Sequence, residues 1–141
     1  MPEIRLAQTD AEIARCAPVM RELRPHIPEG DFVARVRRQE QMGYRLAMLE
    51  EGALVEAVAG FRIHENLSSG RMLYVDDLVT RAEARSRGHG AALIAWLAEL
   101  GRREGCDNLE LDSGLQRHDA HRFYLAQGMS IRSHHFHLPL R

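Results

Sequence analysis

A Gly-rich basic turn and a pair of adjacent carboxylates are the residues of this chain best suited to chemistry. The turn is Arg85-Ser86-Arg87-Gly88-His89-Gly90, set between an apolar, strand-like run at 72–80 and a run of strong helix formers at 91–100. Strand, basic turn and helix together suit a phosphate. The free N–H groups of a first helical turn point outward, and the helix dipole favours an anion there. Glycines let the backbone approach closely, and Arg85 and Arg87 add charge and fork-shaped donors. Two familiar phosphate sites are excluded by spacing. No Gly-Lys-Ser/Thr triplet is present, and the third glycine of a dinucleotide fingerprint falls on Leu93.

The carboxylates are Asp76 and Asp77, in the middle of the otherwise apolar run. Buried charge is costly unless it is used or paired. Use means proton transfer or holding a cation; pairing means an ion pair with one of the many arginines. Successive strand side chains point to opposite faces, so only one aspartate faces a given site unless a bulge changes the alternation.

The elements that must position these groups are legible from periodicity. Residues 4–7 alternate as a first strand, and Thr9 or Asp10 can cap the helix that follows. In that helix Ile13, Cys16, Ala17, Met20 and Leu23 form one apolar face, with a kink or break expected at Pro18. Asp31 opens a second helix with Phe32, Val33 and Val36 inward and Arg35, Arg37 and Arg38 on a basic outer face; Gly43 stops it. Strands follow at 44–50 and 54–63 as a hairpin, then at 72–80. A helix at 90–104, a strand at 108–113, a helix at about 118–127 and an alternating last strand at 129–138 complete the order β, α, α, β, β, β, α, β, α, β. This predicts a mixed sheet in an α/β or α+β domain, with a right-handed parallel crossover from 72–80 to 108–113.

A length of 141 residues predicts a single domain, 1–141. Hydrophobic residues at 45% and charged residues at 28% match an ordinary globular chain. The net charge of −1 argues against nucleic acid as a partner, and no run approaches the ~20 apolar residues of a membrane span. Arginine supplies all of the formal positive side-chain charge, because the chain has no lysine. Two cysteines, Cys16 and Cys106, make no disulfide framework and suit a reducing cytoplasm.

Taken with its flanks, the pattern Arg/Gln-x-x-Gly-x-Gly at 85–90 resembles the acyl-CoA pyrophosphate loop of the GNAT N-acetyltransferases. The run Arg117-His118-Asp119-Ala120-His121-Arg122-Phe123-Tyr124-Leu125-Ala126-Gln127-Gly128-Met129 resembles the family's second signature, a helix with an aromatic-Tyr pair before a glycine. Many members carry Asn seven positions before the Tyr, where this chain has Arg117. The segment more closely resembles a subgroup of small enzymes that acetylate aminoalkylphosphonates. The likeness spans essentially the whole chain.

The resemblance implies a mixed, mainly antiparallel central sheet with a parallel splayed pair and flanking helices. It implies acetyl-CoA as co-substrate, no obligatory metal, and direct acetyl transfer to a primary amine through a ternary complex. Acetyl transfer needs a neutral amine, donors for the oxyanion and a proton for the leaving thiolate. The resemblance assigns the last role to Tyr124 and the base and ammonium-holding roles to Asp76 and Asp77, with Asp76 favoured as base. It assigns the cofactor to backbone groups of Leu78, Val79 and Thr80, to Arg85, Ser86, Arg87, Gly88, His89, Gly90 and Ala91, and to Arg117. The implied partners are acetyl-CoA and a small amine, with a homodimer compatible with the apolar tail.

Eight histidines raise a metal alternative. His135 and His137 share a strand face and His134 opposes them, yet no Cys or Glu at metal spacing completes a set. They read instead as partly exposed polar residues on a terminal strand near the acceptor pocket, with an acceptor-binding or metal-assisted role for His135 or His137 as the alternative. The functional alternatives are a non-catalytic acyl-CoA-binding module and a protein-amine acetyltransferase. Tyr124 and the aspartates argue against the first.

Overall fold

The computed structural model describes all residues, 1–141. They divide into two compact units, 1–110 and 111–141. The element order is β1 (Glu3–Leu6), α1 (Asp10–Leu23), α2 (Phe32–Glu40), β2 (Arg45–Glu51), β3 (Leu54–Asn66), β4 (Gly70–Thr80), α3 (His89–Arg103), β5 (Asn108–Leu111) and α4 (His118–Ala126). The five strands lie in the order β1-β2-β3-β4-β5. β1 to β4 pair antiparallel, and β4 with β5 is the parallel pair across the α3 connection. The mixed sheet expected from the sequence is therefore present.

Strands β2 and β3 are buried on both faces in their central portions, which is why they read as near-continuous apolar runs. On one face Leu46, Met48 and Val58 pack with Ile13, Cys16 and Met20 of α1 and Phe32 and Val36 of α2. Leu73 of β4 meets α3 at Gly101, where a small residue lets the helix close on the sheet. The opening of α1 is a full capping box. Thr9 Oγ1 accepts from Glu12 N at 3.1 Å, and Glu12 Oε1 accepts from Thr9 N at 2.9 Å. The Arg5 guanidinium, with the backbone N–H groups of Thr9 and Gln8, holds the Glu12 carboxyl down at about 2.

A break at Pro18 and a strand in the tail are both absent, for physical reasons. α1 runs unbroken through Pro18. Pro18 and Ala14, whose carbonyl loses its i+4 partner, are both exposed, so water can satisfy that oxygen. The tail 129–138 forms no strand. Alternation specifies a face, but a strand also needs a hydrogen-bonded neighbour. Ile131 is 76% exposed and Phe136 91% exposed.

Two register shifts shape the sheet. Between Leu49 and Glu50 of β2 the pairing skips Glu56, which bulges out of the β3 ladder. Glu56 is only 4% exposed. Its carboxylate accepts from Arg81 Nη2 at 2.8 Å and Nε at 3.1 Å, and its carbonyl accepts from Arg81 N at 2.8 Å. Two guanidinium donors on the one oxygen Oε2, with the backbone bond, fix the chain where it leaves β4 toward the basic turn. The second shift falls in the candidate site.

Candidate active site

The basic turn has the geometry of an anion cradle. Ser86 (φ +67°) and Gly88 (φ +81°) are both left-handed, and a left-handed serine is the kind of strain that persists at functional sites. A Cβ on Gly88 would touch nothing within 4 Å, so glycine there answers the backbone conformation and not a lack of space. α3 starts at His89 with no side-chain cap, leaving the first-turn N–H groups of His89, Gly90 and Ala91 for a ligand. Arg85, Ser86, Arg87 and Gly88 are exposed. His89 is 5% exposed, and its Nε2 has no hydrogen-bond partner. A buried polar atom of that kind calls for one. These features fit the pyrophosphate of an acyl-CoA.

Leu78, Val79 and Thr80 pair with Ala59, Val58 and Ala57 on the β3 side of β4. On the other side β5 begins next to the start of β4, where Asp107 N donates to Arg71 O at 2.7 Å. β5 has four residues against eleven in β4, so its ladder ends before Leu78. In an antiparallel pair alternate residues direct their N–H and C=O groups away from the partner. Backbone groups of 78–80 thus face the edge that β5 does not cover.

The aspartates are brought together by the second register shift. Gly60 pairs with Asp77 but Phe61 pairs with Val75, so Asp76 is an extra, bulged residue. Asp76 and Asp77 consequently both line one cavity of about 450 Å³, where Tyr44 and Tyr74 join them. Asp77 Oδ2 accepts from Tyr44 Oη at 2.8 Å, and its Oδ1 accepts from Arg24 Nε at 2.9 Å. Asp76 Oδ1 accepts from Arg62 Nη2 at 3.1 Å. Arg24 Nη2 also donates to the Asp76 carbonyl at 3.0 Å. Burial raises the Asp76 carboxyl above the usual range, against the pull of Arg62. Burial, with the nearby Asp77 charge, drives the Tyr44 phenol well above its ordinary value, so it remains a donor.

The sequence missed Tyr44, Arg24, Arg62 and Gly60 as members of this site. The available signal was Gly60, since an isolated glycine inside a strand marks a bulge or a close approach. A Cβ there would overlap the Tyr44 hydroxyl and lie 2.7 Å from Asp77 Oδ2. Gly60→Ala is expected to displace Tyr44 from Asp77. With Asp77 as the ammonium holder that the resemblance implies, it should lower kcat/KM for the amine about 10-fold through loss of a charge-assisted bond, with acetyl-CoA affinity unchanged by titration. Wild-type acceptor kinetics would show that the contact has no role.

In the second unit, Tyr124 lies on α4 beside Phe123, with ring centroids 5.3 Å apart. Burial raises its phenol above the ordinary value, and Arg117 at the head of the helix offsets part of that rise. A neutral phenol of this kind can donate a proton. His121 Nε2 lies 2.7 Å from the Gly114 carbonyl, and His135 Nδ1 lies 3.8 Å from Asp112 Oδ2. His134 and His137 are exposed.

Residues 7–129 match the model of the acetyltransferase (GNAT) family. An uncharacterized N-acetyltransferase of Bacillus subtilis is 35% identical over 131 residues, covering 92% of each chain. The aminoalkylphosphonate N-acetyltransferase of Salmonella typhimurium is 35% identical over 88 residues, covering 60% of this chain and 54% of its own. Among solved structures, an aminoglycoside N-acetyltransferase in complex with CoA superposes with a TM-score of 0.87 at 16% identity, over 100% of this chain and 95% of the other, a likeness of fold. This chain belongs to the GNAT acetyltransferase family and is an acyl-CoA-dependent N-acetyltransferase.

Proposed function

We propose that the chain is one catalytic domain, 1–141, that moves an acetyl group from acetyl-CoA to a small primary amine by direct attack in a ternary complex. The observation that carries this reading is the bulge that turns both Asp76 and Asp77 into one cavity of small-molecule size. Asp76, whose carboxyl burial raises toward the working pH, takes the ammonium proton directly or through water. Asp77, held by Tyr44 and Arg24, fixes the ammonium end. Backbone groups of Leu78, Val79 and Thr80 hold the pantetheine and the developing oxyanion. The N–H groups of Arg87 to Ala91 take the pyrophosphate, with Arg85 beside them, and Ser86, His89 and Arg117 complete the cofactor contacts. Tyr124 protonates the departing sulfur.

Direct attack is supported by the state of Cys16. Burial pushes its thiol up to about 12, which makes it a poor nucleophile for a covalent acetyl-enzyme. Cys16 and Cys106 are both free thiols, which supports a cytoplasmic setting. No helix is long and apolar enough to cross a membrane. Exposed Phe136, Leu138 and Leu140, at alternate positions of the tail, support self-association.

Tyr124→Phe tests the acid. Its kcat is expected to fall about 10²-fold with the KM for acetyl-CoA little changed, the range of general-acid loss. Equal turnover removes Tyr124 from the chemistry. Initial rates at varied acetyl-CoA and amine should give intersecting double-reciprocal lines; parallel lines would mean a covalent intermediate.

A further inference from the structure

The arginines of the acceptor cavity are not equivalent. Arg62 is committed to Asp76 and Arg24 to Asp77. Arg35 and Arg38 line the same cavity, yet neither guanidinium makes a hydrogen bond or ion pair with any protein group. The position of Arg35 corrects the basic outer face expected for α2. Arg35 falls on the inward stripe with Phe32 and Val36, whose side chains are buried, because residues three and four apart share a helix face. Arg37 is instead committed at the head of α1, where Asp10 and Glu40 take its guanidinium.

The cavity therefore holds four guanidinium groups against two carboxylates, with two of the four unmatched. An acceptor bearing only ammonium charge would add positive charge to a wall already in excess, and like charges at close range repel. An acceptor that carries its own anionic group removes the conflict at both ends. Two arginines at i and i+3 on one helix face offer planar forks of donors suited to an oxyanion.

We infer that Arg35 and Arg38 form an anion-binding subsite, and that the acceptor is a small primary amine carrying an anionic oxo group opposite the amine. The inference rests on the reading of this cavity as the acceptor site. The amine end faces Asp76 and Asp77, and the oxo group faces α2. A polyamine or an aminoglycoside lacks the second feature.

The test uses the full chain with saturating acetyl-CoA and four primary amines of similar length: 2-aminoethylphosphonate, β-alanine, propylamine and 1,3-diaminopropane. At least one oxyanion-bearing amine should exceed propylamine in kcat/KM by about 10-fold or more, the effect of charge-assisted hydrogen bonds. The diamine should be poorest. In the Arg35→Gln, Arg38→Gln double variant the ratio of anionic to neutral amine should fall about 10-fold or more. A lead for the phosphonate assigns a tetrahedral oxyanion, and a lead for β-alanine a carboxylate; either supports the subsite. Preference for propylamine or the diamine, or an unchanged ratio in the double variant, overturns the subsite and leaves amine acetylation standing. No thiol release with any of the four overturns the acceptor reading and the subsite together.

Discussion

Gly90→Glu is expected to lose acetyl-CoA binding while remaining folded. Residue 90 sits in the first turn of α3, directly after the left-handed Gly88 and the buried His89. A carboxylate there meets the same N–H groups and the same positive end of the helix dipole that the pyrophosphate needs. The protein itself gains or loses little, because an acid in a first helical turn is favourable by about 0.3–1 kcal/mol. The ligand loses much more. One pair of like charges about 4 Å apart costs about 4 kcal/mol at an effective dielectric constant near 20, or about 10³-fold in affinity. Calorimetric titration with acetyl-CoA should show the dissociation constant rising by that order or more, with an unchanged far-ultraviolet spectrum and melting temperature. Affinity within about 3-fold of wild type would remove the turn from the cofactor site.

Asp76→Asn should lower kcat/KM for the acceptor by about 10²- to 10⁴-fold at neutral pH. An alkylamine with a pKa near 10.4 is neutral in only about one part in 10³ at pH 7, so a base that shares its proton matters most there. The sign of the pH dependence follows. Burial raises the Asp76 carboxyl, so the wild-type rate is lost as pH falls through that raised value and the base becomes protonated. The Asn variant has no such group. Its rate depends on free amine alone and should climb with pH toward the amine pKa, narrowing the gap to wild type. Asp77→Asn should behave differently. Its carboxylate is held by Tyr44 and Arg24, so loss should appear in the acceptor KM without that alkaline recovery. Identical rates and pH profiles for the two variants would return both aspartates to a purely structural ion-pair role.

The sequence disclosed whatever depended on local pattern. Period-2 and period-3.6 apolar spacing located the helices and the strands β1 to β5 within a few residues, and Gly88 and Gly90 between strand and helix marked the turn that became the start of α3. Contacts distant in sequence were not legible. Alternation along 72–80 puts Asp76 and Asp77 on opposite faces; the bulge that unites them depends on the register of β4 against Gly60 and Phe61 of β3. Arg24 lies 53 residues from Asp77 in the chain, and nothing local pairs them. Arg35 read as outward because charge usually faces water, yet a polar cavity makes the inner stripe equally acceptable to it. The tail showed the period of a strand, and period alone supplies no neighbour to pair with.

The most direct measurement is thiol release from acetyl-CoA by the wild-type chain, with the acetylated amine identified by mass. The account predicts release that depends on added small amine, matched mole for mole by the N-acetyl product. Normal acetyl-CoA binding without amine-dependent release would contradict it and leave a domain that holds the cofactor without passing its acetyl group to a small amine.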